Sequence, residues 1–120
     1  MNVKLLREVR DYIVKYPEKY NQSNWCGSAC CVAGTAAFLS GKISVRKVRT
    51  NHSSSEFGGS ISRIAREALG LSRGQAARLF EPCWGSLPRR YQVNQSMPPE
   101  ERAAIAYDRI NRFIETKGAE

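Results

Sequence analysis

No apolar run in this chain approaches the roughly 20 residues needed to cross a bilayer, which excludes a membrane-spanning helix and predicts no membrane partner. Histidine occurs once, at His52, so chemistry that needs imidazole has a single possible source. Acidic residues are scarce, 11 against 19 Lys and Arg, and the formal charge is +8. Such a balance favours anionic partners: nucleic acid, a nucleotide or an acidic protein surface. None of the four cysteines forms a Cys-x-x-Cys pair, which removes the usual zinc knuckle and dithiol redox motifs. Residues 1–8 carry charge every few positions and lack a signal-peptide apolar core, so a cytoplasmic setting is expected, with the cysteines as thiols.

What is present reads as one domain of 120 residues, residues 1–120, with a single core. The patterning predicts a mainly α protein, a compact bundle of about five helices around a small-residue central helix, with at most one short β element. In residues 3–16, Leu5, Leu6, Val9, Tyr12, Ile13 and Tyr16 repeat at three and four, and Pro17 stops the run. Residues 25–41 carry no charge and are small or apolar all round, which predicts a helix buried on most sides, starting near Gly27 and ended by Gly41.

Residues 42–49 alternate Ile43 and Val45 among basic residues and predict at most a short strand; residues 50–60 read as a loop. Helices are then expected at about 60–69, with Ile61, Ile64, Ala65 and Ala68 inward, and at 73–80, where Ser72 and Gln75 have capping-box spacing. Trp84, Leu87 and Tyr91 are expected to cover the core. The last helix starts at Pro99, with Ala103, Ala106, Tyr107, Ile110, Phe113 and Ile114 inward and Lys117-Gly118 at its exit.

Three chemistries suggest themselves. Gln22, Trp25, Cys26, Gly27 and Ser28 resemble the active-site segment of papain-like cysteine peptidases, which implies Cys26 as nucleophile, His52 as base and Gln22 as an oxyanion donor. The histidine lies in a Ser-rich segment, and the chain has little material for that fold's sheet, so a packed structural thiol is the better reading. Zinc held by Cys26, Cys30, Cys83 and His52 would need ligands from unrelated loops, and neither a metal nor a cofactor is expected.

The third is binding. Residues 61–80 resemble a DNA-binding helix-turn-helix, with Arg73, Gln75 and Arg78 facing outward, although Arg66 stands where close helix contact favours a small residue. Lys42, Arg46, Lys47 and Arg49 form the densest basic run, beside a Gly/Ser-rich stretch, and Arg89 and Arg90 add a pair; these six are the expected anion-binding residues.

Finally, Gln22-x-x-Trp25-Cys26-Gly27-Ser28, Cys31-Val32-Ala33-Gly34-Thr35-Ala36, Leu69-Gly70-Leu71-Ser72, Gln75-Ala76, Leu79-Phe80, Trp84 and the final helix resemble a family of small bacterial and tailed-phage proteins with no established activity. That resemblance implies a fold and a mobile-element setting and carries over no catalytic residue. The expected function is a non-enzymatic accessory protein that binds an anionic partner, with a host-takeover or anti-defence role in the host cytoplasm.

Overall fold

The computed structural model describes residues 1–22, 30–41, 55–94 and 96–120, with only the backbone described for 55–60. Among them are five α-helices, and the protein is all-α there: α1 (Val3–Lys15), α2 (Val32–Leu39), α3 (Ser55–Leu69), α4 (Arg73–Leu79) and α5 (Pro99–Glu115). Single 3-10 turns at Pro17–Lys19, Pro82–Trp84 and Arg89–Tyr91 link them, and the one β feature described is an isolated parallel bridge between Tyr20 and Cys30.

Helix α1 forms because its apolar residues fall on one stripe: Leu5, Leu6, Val9 and Ile13 are buried. Asn2 caps it, its side-chain oxygen accepting from the Leu5 N–H at 3.0 Å. The same residue fastens α1 to the end of α3, its backbone N–H donating to the Leu69 carbonyl at 2.7 Å. On the outer side, Arg10 lies over the Tyr107 ring and donates to Asn111, so α1 and α5 are clamped by one cation.

Helix α2 is the centre of the core. Val32 to Ala37 are all buried, with α1 and α3 packed against it. Its start differs from expectation: the helix begins at Val32, with Cys30 in the bridge to Tyr20 and Cys31 as N-cap. Small residues show no periodicity, so the sequence pattern did not mark this boundary. Gly41 does end it, at φ +76°.

Helix α3 starts five residues before the expected boundary, inside the segment read as a loop. Phe57 stands four before Ile61 in sequence, so the helical spacing already reaches across the Gly58-Gly59 pair that suggested a break. Gly70, at φ +65°, then turns the chain, and a capping box of Ser72 and Gln75 opens α4. The expected short strand at 42–49 lies outside the described residues.

Cys83 and Trp84 both have positive φ, 53° and 50°, a conformation costing on the order of 1–3 kcal/mol per non-glycine residue. Full burial of Trp84 holds this turn in place, with its indole N–H donating to the Leu79 carbonyl at 2.9 Å. Helix α5 buries Ala103, Ala106, Ile110 and Phe113, and also Arg109, which the apolar stripe did not reveal. It exits through Lys117 and Gly118 at positive φ.

Because Ala36 is fully enclosed between helices, Ala36→Leu is expected to lower stability by about 1–3 kcal/mol through overpacking. Urea unfolding should show a lower midpoint at unchanged slope; an unchanged midpoint would mean that the α2 packing has slack.

Candidate anion-binding site

The cysteine-rich segment was the first candidate, and its described part is built for packing. Gln22 is buried, and its amide is fully used. Its Nε2 donates to the carbonyls of Leu79 (3.3 Å) and Glu81 (3.0 Å), while its Oε1 accepts from the Tyr20 hydroxyl (3.1 Å) and the Val32 N–H (3.3 Å). Both N–H groups are therefore committed to backbone carbonyls. This corrects the reading of Gln22 as an oxyanion donor: no donor is left to point at a substrate.

The thiol at the start of the described helix is Cys31. Its sulfur accepts from the Gly34 N–H, yet burial pushes its pKa up to about 11. Desolvation outweighs the helix N-terminus, so this thiol is not a poised nucleophile. Cys30 is disulfide-bonded, which corrects the expectation that it is a thiol and removes it as a zinc ligand; Cys31 and Cys83 keep their thiols. Cys26 and His52 lie outside the described residues, as do Lys42, Arg46, Lys47 and Arg49.

The helix-turn-helix reading also changes. Gln75 closes the capping box with Ser72 and reaches the Lys117 carbonyl, and Arg78 donates to the Gly118 carbonyl at 2.6 Å. Two of the three residues proposed to read DNA thus hold the C-terminal turn against α4. Arg73 alone stays uncommitted.

Arg73 instead joins two residues the sequence reading had not grouped with it. Arg63 and Arg66 project from α3 and Arg73 from α4 into one open cavity of about 520 Å³, lined also by Ser62, Phe80 and Pro82. The geometry follows from the turn: residues three apart on α3 share a face, and Gly70 folds α4 back beside it. Ion pairs among the described residues join only Arg10 to Asp11 and Arg112 to Glu120, so these three arginines have no carboxylate partner. Among the described residues the one acid lining the cavity, Glu81, is held by the Ser86 N–H (3.0 Å) and hydroxyl (2.6 Å). Unpaired guanidinium groups over an apolar floor suit an oxyanion, which they can grip with paired N–H donors.

The spacing Arg63-x-x-Arg66 before the Gly70 turn was the available signal. In the sequence Arg66 stands out only as an obstacle to close helix contact; in the fold it is half-buried at the groove. Arg89 and Arg90 are exposed on their 3-10 turn, Arg90 lying over the Tyr91 ring at 4.9 Å. Neither lines the cavity of Arg63, Arg66 and Arg73.

Compared with family models, curated proteins and solved structures, the chain matches none. No helix among the described residues is long and apolar enough to cross a membrane.

In the folded protein, iodoacetamide at pH 8 should label half-buried Cys83 and leave Cys31 unlabelled until unfolding. The same burial predicts a pH effect. The unfolded thiol ionises near 9 and the folded one near about 11, so the unfolded state loses its proton first and stability falls as pH rises through that window. The slope should be at most about 1.4 kcal/mol per pH unit from this group. Labelling of folded Cys31 as fast as Cys83 would contradict both statements.

Proposed function

We propose that this chain is a non-enzymatic accessory protein that binds a phosphate-bearing partner, nucleic acid or nucleotide, through Arg63, Arg66 and Arg73. One observation supports this reading: three guanidinium groups without carboxylate partners line a single concave site on a chain of net charge +8. The site stands on two helices joined by a tight turn, which holds the arginines at a fixed spacing before any ligand arrives. Arg89 and Arg90 would extend the contact for a longer polyanion. The phage or bacterial setting, with a host-takeover or anti-defence role, comes from the motif resemblance. A cytoplasmic location belongs to the same reading and stands against one observation, the disulfide at Cys30, because such bonds persist mainly in oxidising compartments.

The test is fluorescence anisotropy with a labelled oligonucleotide and a labelled nucleoside triphosphate over a salt series. Affinity should fall steeply with salt, each single Arg→Ala change should reduce the log–log salt slope by about 1, and the triple variant should lose binding. Binding of the oligonucleotide alone would specify nucleic acid; binding of both, a mononucleotide pocket. Competition by poly-glutamate as strong as by either ligand would assign the groove to an acidic protein and overturn the phosphate reading. Salt-independent binding, or a triple variant that binds like the wild type, would overturn it altogether.

A further inference from the structure

Arg109 is a different case from the groove arginines, because it is charged and only 1% exposed. Its guanidinium lies between two rings, 5.6 Å from the centre of Phe113 and 5.9 Å from that of Tyr91. Among the described residues nothing accepts a hydrogen bond from its Nε or Nη2. Those two nitrogens form one edge of the guanidinium plane, and their N–H bonds run parallel. That edge is the one that grips both oxygens of a carboxylate or phosphate side-on.

The charged groups around Arg109 leave the edge unanswered. Arg78 is a like charge, already donating to the Gly118 carbonyl. Glu120 is the partner of Arg112 at 2.6 Å, and Glu81 holds the Ser86 N–H and hydroxyl. Arg90 stacks on Tyr91 and adds a further positive charge beside the same ring. Glu120 and Glu81 are thus bonded elsewhere, while Arg78 and Arg90 add positive charge near Arg109. Burial accordingly depresses the Arg109 pKa, with Arg78 acting in the same direction and Tyr91, Glu120 and Glu81 opposing them. Tyr91 also lines an open cavity of about 500 Å³ with the cations Arg90 and Arg112, Asn111 and the carboxylates Asp108 and Glu115, which gives a route toward the ring from solvent.

We propose that the Nε–Nη2 edge of Arg109 is a bidentate site for a small oxyanion, a carboxylate or phosphate group, admitted beside Tyr91. The bound anion would supply the two acceptors that the described residues do not, and would neutralise a charge held among aromatic rings. This site is separate from the Arg63–Arg66–Arg73 groove and stands on its own observation.

Thermal unfolding of the full chain with inorganic phosphate or acetate tests it. The wild type should show a saturable rise in Tm with the preferred anion; phosphate alone, acetate alone or both would identify the oxyanion class. Arg109→Met should fold at least as stably without anion, because it removes an unpaired buried charge, and should lose the saturable rise. Arg109→Lys keeps the charge without the forked edge and should lose it too. The Arg63→Ala/Arg66→Ala/Arg73→Ala variant should keep the rise, which separates this site from the groove. In the wild type, the Arg109 Nε–H NMR signal should shift along a saturable curve, a readout that needs no variant to fold. A Tm rise equal in wild type and Arg109→Met, or an Nε–H signal unmoved by either anion, would overturn the proposal.

Discussion

The buried side-chain amide of Gln22 ties together parts of the chain that nothing else joins as directly. Its oxygen serves the first N–H of α2 and the Tyr20 hydroxyl; its nitrogen serves two carbonyls at the end of α4. Leu79 accepts from both Gln22 and the Trp84 indole, so the amide and the largest core side chain converge on one carbonyl. Leaving a buried donor or acceptor without a partner costs about 1–3 kcal/mol, and this amide satisfies four such groups besides its own. The left-handed Cys83-Trp84 turn follows directly on that anchor, which is how its strain is held.

This arrangement separates the inside of the protein from its sites. The interior is filled by small residues of α2 and the apolar stripes of α1, α3 and α5, and the described edge of the cysteine segment is consumed in holding α2 to α4. Cationic side chains are left on outward faces, where Arg63, Arg66 and Arg73 meet across the Gly70 turn. Arg109 is the exception, a cation carried inside on the apolar stripe of α5 with two of its three guanidinium nitrogens unanswered among the described residues.

Much of this was legible before the structure. Helices α1 and α5 declare themselves by period and stop signals, α5 also by its first-turn acids, and the Ser72–Gln75 box is present as its spacing implies. The start of α2 was not legible, because a run of Ala, Gly, Ser and Cys is apolar on every side and marks no boundary. The start of α3 was hidden by two glycines that the surrounding helix tolerates. Gln22 was read for what an amide can donate to a substrate, since hydrogen-bond partners far away in sequence leave no local pattern. Gln75 and Arg78 illustrate the same limit: their spacing fits DNA contact, and residues 117 and 118 claim them first. The arginine groove needed only the knowledge that α4 folds back along α3.

The central claim, that Gln22 is a structural clamp with no donor to spare, is tested most directly by hydrogen exchange of its two side-chain Nε2 protons, followed by NMR. Both should exchange only through the global opening that also releases the Val32 amide. Fast exchange of either proton in a folded protein with Val32 still protected would contradict the account, and would return Gln22 to the list of groups free to meet a ligand.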